Sequence, residues 1–314
     1  MPKKVLILNG SPKGNNSSTF KATKAFVEGI ILADSSYEAE YVWINDLNIK
    51  PCLGCLSCWG RTPGECVIKN DDASVMIKKI MECDIFIESY PLYFFGMPGT
   101  MKLFTDRMMP FMCTYEGQKA PLDGQSFHGI RFDVSNKKFV VISSCAYTEA
   151  TNVFDSLLTQ YDAICGKGNY TAILCPQLKT LIELKTGDRE ERFLNKFKEA
   201  GSNFIKNGVL SEEELTILKN FISWCIAVFG NNVQKSYISI HIKNLLIECA
   251  NVDENMITPD ARLKEDLGID SLYAVELILE LETKFEIKIE WETMQSLQTV
   301  NDVCNLVSEK IKNR

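Results

Sequence analysis

Histidine is nearly absent: His128 and His241 are the only two in 314 residues. A Ser-His-Asp hydrolase or a histidine metal site therefore lacks its parts, since each needs imidazole at a defined place. Long apolar runs are missing too. The longest, Phe221 to Phe229, is interrupted by Ser223 and falls well short of the roughly 18 residues of a spanning helix, so no membrane span is expected. Nor is there an excess of basic charge. With 34 Lys and Arg against 41 Asp and Glu, no cationic face for nucleic acid or anionic lipid is expected. No internal repeat and no low-complexity tract is visible. The first apolar run, Val5 to Leu8, is too short for a signal peptide and passes straight into Asn9-Gly10-Ser11, a strand-to-turn signal. A cytoplasmic location is the expectation, and with it 12 cysteines acting as thiols or metal ligands rather than disulfides.

What is present is enough hydrophobic content, 46%, to give each of two domains a core. The front of the chain alternates strand-length apolar runs with helical periods. Strands are expected at Val5–Asn9, Tyr41–Ile44, Asp84–Ser89, Phe139–Ser143 and Tyr170–Leu174. Helices are expected at Thr19–Leu32, Asp71–Glu82, Thr100–Met109, Ala150–Ile164 and Arg189–Lys206. Five strands with intervening helices predict an α/β fold with a doubly wound five-stranded parallel sheet. The rear reads differently. A helix from Ser236 to Ala250, a loop with Pro259 and Asp260, a helix from Ser271 with Leu272, Val275 and Leu279 at helical spacing, a short stretch with Trp291 and Met294 and a last helix from Val300 to Ile311 make a small all-α four-helix pattern. Between them, Ser211-Glu212-Glu213-Glu214-Leu215 opens a further helix. Charge marks the same boundary: Lys235 to Arg314 holds 9 Lys and Arg against 15 Asp and Glu, a balance of −6, which leaves −1 for the rest.

The sharpest motif lies in the acidic rear, in Leu263-Lys264-Glu265-Asp266-Leu267-Gly268-Ile269-Asp270-Ser271-Leu272. Taken alone, Asp270-Ser271 is an ordinary helix cap. Within the four-helix pattern the segment resembles an acyl carrier protein. That resemblance implies a 4'-phosphopantetheine arm on Ser271, a phosphopantetheinyl transferase to attach it, and acyl- or aminoacyl-loading enzymes that dock on the helix carrying Glu276, Glu280 and Glu282.

In the front domain, ligands of a doubly wound sheet sit at the carboxyl ends of strands. The first such turn, Gly10-Ser11-Pro12-Lys13-Gly14-Asn15-Asn16-Ser17-Ser18-Thr19, is rich in small hydroxyl residues and runs into a helix N-terminus, where amides and the dipole favour a phosphate monoester. It lacks the Gly-Lys-Ser/Thr ending of nucleotide loops and the G-x-G-x-x-G of dinucleotide sites, which disfavours a kinase or a Rossmann dehydrogenase. After the third strand comes Ser89-Tyr90-Pro91-Leu92-Tyr93-Phe94-Phe95-Gly96-Met97-Pro98-Gly99-Thr100-Met101-Lys102, then Asp106-Arg107. With these two loops, roughly the first 200 residues resemble the flavodoxin-like NAD(P)H-dependent FMN reductase family. The resemblance implies bound FMN, with Ser11, Ser17, Ser18 and Thr19 at its phosphate and Pro91, Leu92, Tyr93, Phe94 and Gly96 lining its ring, NAD(P)H as electron donor, and a homodimer among the expected partners. Ser144-Cys145-Ala146-Tyr147-Thr148 is a candidate second wall.

Cys52-Leu53-Gly54-Cys55-Leu56-Ser57-Cys58-Trp59, continuing to Gly64-Glu65-Cys66, leaves three readings open. Cys52, Cys55, Cys58 and Cys66 have the compact spacing of a 4Fe-4S motif and resemble that of iron-sulfur flavoproteins; they also suit a redox-active thiol set, or a structural loop shaped around Trp59 and Gly64. Zinc suits the tight spacing less well. The domains expected are then residues 1–207, an FMN oxidoreductase, 208–234, a helical connector, and 235–314, the carrier. The function expected is flavin redox chemistry on a carrier-tethered acyl or aminoacyl group. Its rivals are a non-enzymatic electron-transfer module and a quinone or nitro-compound reductase whose carrier is incidental. No protein general base stands out, since the flavin itself takes hydride.

Overall fold

The computed structural model describes residues 2–114, 128–147, 150, 152–178, 189–220, 231–250 and 252–312. The chain divides into two units, Met1–Lys179 with Glu190–Phe221, and Thr180–Arg189 with Ile222–Arg314. In the first, strands β1 (Lys3–Asn9), β2 (Tyr37–Trp43), β3 (Ile85–Pro91), β4 (Lys138–Cys145) and β5 (Thr171–Pro176) form one sheet in the order β2-β1-β3-β4-β5. Every neighbouring pair is parallel. The central strands read as unbroken apolar runs because helices cover both faces, and Val5 to Leu8 is accordingly buried throughout. The helices are α1 (Ser18–Ala33), α2 (Ala73–Glu82), α3 (Gly99–Asp106), α4 (Asp155–Cys165), α5 (Arg189–Asn207) and α6 (Glu212–Lys219). Strand order reverses between β1 and β3, and at such a switch point a crevice opens beyond the strand ends. Register brings its rims together: Asn9 lies beside Ser89, and Pro91 beside Ser144.

The expected doubly wound sheet is present, with shifts that have local causes. Strand β2 begins four residues before the expected Tyr41, because Glu38 and Glu40 face solvent on a sheet edge and break the apolar signal. Helix α3 stops at Asp106, and Pro110 sits in a separate 3-10 turn at Met109–Phe111. Helix α4 starts at Asp155 instead of Ala150, after Asn152 takes a left-handed conformation. Helices α1 and α5 approach so closely that a Cβ on Gly29 would fall 2.0 Å from the Lys198 carbonyl oxygen, and one on Gly201 1.9 Å from that of Phe26. Glycine is required at both.

Of the connector expected over 208–234, α6 belongs to the first unit and lies against β5. Ser211 and Glu214 form the capping box that starts it. Residues 221–230 fall outside the described residues. The second unit has the four expected helices, α7 (Asn231–Ala250), α8 (Ser271–Phe285), α9 (Trp291–Gln295) and α10 (Val300–Lys312). Its core joins Ile238, Ile242 and Leu246 of α7 to Leu277, Leu281 and Phe285 of α8 and to Val303 and Val307 of α10. Leu272, Val275 and Leu279 share a face of α8 as their spacing predicts, but that face is exposed. No helix among the described residues is long and apolar enough to cross a membrane.

Candidate functional site

The crevice at the switch point is built on hydroxyls and one asparagine. Asn9 ends β1 with its side chain buried; its Oδ1 accepts from the Ser11 amide at 3.0 Å and its Nδ2 donates to the Gly14 carbonyl at 3.5 Å, which shapes the loop. Ser11 Oγ accepts from the Lys13 amide at 3.3 Å, and Ser17 Oγ caps α1 by accepting from the Phe20 amide at 3.4 Å. A hydroxyl that accepts still has its own proton to donate. The two serines thus offer donors at a helix start whose first amides have no partner within the helix. Ser18, half-buried, is the first residue of that helix. Thr19 is placed differently: its hydroxyl shares a 2.6 Å hydrogen bond with Ser144 Oγ, while Thr23 bonds Ser89 Oγ at 2.8 Å. These pairs fasten α1 to the ends of β4 and β3.

The opposite wall is a tight hairpin. Tyr93 and Gly96 exchange backbone hydrogen bonds of 2.9 and 3.0 Å around Phe94 and Phe95, both left-handed with φ of 47° and 62°. Such turns usually take Asn-Gly, and each bulky residue held there costs about 1–2 kcal/mol. The strain is restrained by neighbours: the Leu92 amide donates to the Ser144 carbonyl at 2.7 Å, and the Ser156 hydroxyl donates to the Phe95 carbonyl. Phe94 is 100% exposed, and Tyr147 stacks on Phe95 with centroids 6.2 Å apart. Pro91 and Leu92 are half-buried, and a Cβ on Gly96 would meet open space. The crevice thus pairs a hydroxyl-and-amide cradle with an aromatic wall and free room at Gly96, a donor set that fits a phosphate-bearing aromatic ring such as FMN. Asn9, Phe95 and the Thr19–Ser144 bond were not assigned from sequence. Phe95 carried a signal by position, inside the aromatic loop; the 125-residue separation of Thr19 and Ser144 gave none. Thr148, at the end of the candidate second wall, lies outside the described residues.

The cysteine loop forms a separate site. Cys52, Cys55, Cys58 and Cys66 all line one cavity of about 290 Å³, together with Leu53, Leu56, Met109 and Arg107. All four are free thiols. Hydrogen bonding from Ser57 holds the Cys55 thiol below its ordinary value, and burial pushes that of Cys58 up. Among the described residues no group of three or more Cys, His, Asp or Glu is gathered closely around a single metal-ion position. Four thiols around one cavity with a buried guanidinium have the donor chemistry of a 4Fe-4S cluster. Trp59 anchors the loop by donating from Nε1 to the Met109 carbonyl at 3.0 Å.

In the second unit, Asp270 Oδ1 caps α8 by accepting from the amides of Leu272 at 2.8 Å and Tyr273 at 3.1 Å. That leaves Ser271 exposed as the first helical residue. The turn before it depends on Gly268, left-handed with φ 67°, and closes with the Ile269 amide donating to the Leu263 carbonyl at 2.8 Å. Around the serine, Leu272, Tyr273, Val275 and Leu279 are exposed beside Glu276 and Glu280. Glu282 leaves this face: its carboxylate accepts from the Ile289 amide at 2.8 Å and from Lys288 at 3.1 Å, bonds that hold it below the usual range.

Comparison with known proteins matches this division. Residues 3–170 match the family model of the flavodoxin-like fold, and residues 241–307 that of the phosphopantetheine attachment site. Over 113 residues, 36% of this chain, the front is 30% identical to an iron-sulfur flavoprotein of Methanocaldococcus jannaschii, and the match spans 55% of that protein. Over 68 residues, 22% of this chain, the rear is 47% identical to an acyl carrier protein of Aster yellows witches'-broom phytoplasma, spanning 90% of it. The chain belongs to the flavodoxin-like fold family and carries an acyl carrier domain with a phosphopantetheine attachment site. Among solved structures, an NAD(P)H:quinone oxidoreductase from Methanothermobacter marburgensis aligns with 65% of this chain and 96% of its own at 19% identity and a TM-score of 0.47. An FMN-dependent NADH-azoreductase from Bacillus anthracis aligns with 64% and 99% at 16% identity and a TM-score of 0.46.

Proposed function

We propose that the chain is an NAD(P)H-dependent FMN oxidoreductase that acts on an acyl or aminoacyl group carried by its own phosphopantetheine arm on Ser271. One observation carries this reading: a crevice suited to FMN and an exposed, capped serine on a carrier helix occur in one polypeptide. Bound in the crevice, FMN would supply two-electron redox chemistry between NAD(P)H and a second substrate. The protein's part is to hold and shield it. Ser11, Ser17, Ser18 and the first amides of α1 would bind the phosphate, and Thr19 would brace that cradle through Ser144. Pro91, Leu92, Tyr93, Phe94 and Gly96 would line the ring, with Phe95 and Tyr147 keeping the hairpin rigid. A cluster on Cys52, Cys55, Cys58 and Cys66 would add one-electron transfer.

On the carrier, Asp270 orders the helix start while Ser271 stays accessible to a phosphopantetheinyl transferase. Loading enzymes would meet Leu272, Val275 and Leu279 within the acidic rim of Glu276 and Glu280. A tethered substrate reaches the crevice at an effective concentration that can approach millimolar. A second reading has one specific support: the four-thiol cavity would also suit a module that exchanges single electrons with redox proteins while its carrier serves other enzymes.

Two measurements test the cofactor assignments. The purified chain should bind FMN more tightly than riboflavin, which lacks the phosphate; equal affinity would show that the loop over Ser11–Thr19 is no phosphate cradle. Co-expression with a phosphopantetheinyl transferase should add the mass of one arm to the wild type and none to Ser271→Ala. An unmodified wild type beside a fully converted control carrier would remove the basis of substrate delivery.

A further inference from the structure

Among the described residues, Arg107 is the basic side chain that lines the cysteine cavity, and it is buried there. It follows the last residue of α3, lines the cavity, and with Asp71 has neither side chain exposed to solvent. Burying a guanidinium costs several kcal/mol unless its donors are used. Nη1 donates to the Lys50 carbonyl at 2.8 Å and to Asp71. Nη2 is shared among Asp71 Oδ1 at 3.3 Å, the Ile68 carbonyl at 3.4 Å and Cys66 Sγ at 3.4 Å. Asp71 in turn accepts from the Lys50 amide at 3.0 Å. Burial works against both charges, but the mutual hydrogen bonds prevail: the Asp71 carboxyl is held below its usual range and the Arg107 guanidinium above its own. Nε, fully buried, has no partner among the described residues.

The arrangement has a consequence for the loop. Lys50 lies two residues before Cys52 and Ile68 two after Cys66, so a single side chain ties together both ends of the segment that bears all four thiols. The remaining Nη2 contact goes to a sulfur. A hydrogen bond to a ligand sulfur disperses its negative charge and favours the more reduced state of an iron-sulfur centre. We propose that Arg107 is a positioning residue of the cysteine cavity: it closes the loop and, through Cys66, makes a 4Fe-4S cluster held there easier to reduce by one electron. This rests on the reading that the four cysteines bind such a cluster. A lysine could not replace it, since one ammonium cannot reach carbonyls, carboxylate and sulfur in a planar fork.

The test uses the full chain reconstituted anaerobically with iron and sulfide, and titrated with dithionite and redox dyes while the reduced cluster is followed by electron paramagnetic resonance. At the potential where half of the wild-type clusters are reduced, Arg107→Gln should show a reduced-to-oxidised ratio at least tenfold lower, about 60 mV for one electron. Arg107→Lys keeps the positive charge but loses the planar fork and its contact with Cys66, and should lower the ratio at least threefold. If Arg107→Gln assembles no cluster, Arg107→Lys alone decides, and a wild-type ratio there overturns the inference. Wild-type ratios in both variants overturn it while leaving the cluster reading intact. Iron at background in the wild type overturns the cluster reading, and this inference with it.

Discussion

Among the described residues, each unit buries one carboxyl or imidazole group with no opposite charge bonded to it, and the two groups are of opposite kind. In the flavodoxin-like unit it is Glu88, in the middle of β3 and 2% exposed, accepting a hydrogen bond from Tyr161, whose hydroxyl also meets that of Tyr90. Burial pushes its carboxyl up to about 7. In the carrier unit it is His241 on α7, also 2% exposed, edge-on to Tyr237 and Phe285 with centroids 4.3 and 6.1 Å away. Burial, with Lys284 adding to it, pushes the imidazole down to about 3, and Nε2 has no hydrogen-bond partner among the described residues. The same desolvation keeps both groups neutral. It therefore gives the two units opposite responses to pH, since unfolding releases an acid in one and a base in the other.

Between pH 5 and 8, Glu88 should give the larger effect. Below pH 4.5 the carboxyl is protonated whether folded or not; as pH rises toward 7 only the unfolded chain ionises, so stability is lost at about 1.4 kcal/mol per unit, roughly 3 kcal/mol in all. Glu88→Gln should stabilise the first unit by up to about 3 kcal/mol at pH 8 and by almost nothing near pH 4, read from hydrogen exchange in β3 and β4. A difference independent of pH would contradict the assignment. His241 should act in reverse. Above pH 6.5 it is neutral in both states, and as pH falls to 5 protonation of the unfolded chain removes about 2 kcal/mol from the carrier. In His241→Leu exchange in α7 and α8 should lose that dependence, whereas a carrier that weakens equally with acid in both proteins would show another group at work.

Asp270→Ala tests the carrier where pH plays little part. Loss of its two amide contacts should cost about 1 kcal/mol between pH 6 and 8, measured by urea unfolding, and slow arm attachment by fraying the turn that bears Ser271. Unchanged stability would mean that Ser271 is ordered by the core instead. The smallest effect is expected at the surface: Glu276→Lys with Glu280→Lys should leave stability within about 0.5 kcal/mol and slow modification by the transferase at low salt more than at high salt. A salt-independent defect would locate docking elsewhere.

How much of this the sequence revealed follows the range of the interactions. Strand β1 was legible because Val5–Leu8 is apolar in one run, and α8 because a cap, a glycine turn and helical spacing coincide within Gly268–Leu281. The hydroxyl and aromatic loops were legible as composition. Their wiring was not, since Thr19 meets Ser144 and the Tyr93–Gly96 hairpin is braced by Ser144 and Ser156, all distant in sequence. The exposed stripe of α8 misleads for a related reason: Leu272, Val275 and Leu279 have the spacing of a core face, and only the packing of α7 and α10 on Leu277 and Leu281 shows which side is inside. Arg107 closes the Asp106-Arg107 pair in sequence, but its contacts with Lys50, Cys66 and Asp71 all come from more than 35 residues away.

The proposal that the flavin unit serves its own carrier is tested most directly by single-turnover reoxidation of the reduced, FMN-loaded chain, comparing protein acylated at Ser271 across a panel of acyl and aminoacyl groups with unacylated holo-protein and with Ser271→Ala. One class of group should accelerate reoxidation when attached to Ser271, and lose that advantage when the chain is divided near Gln234, because the tethered arm would lose its effective concentration. Identical rates across the panel, with free quinones still reduced quickly, would contradict carrier-linked catalysis.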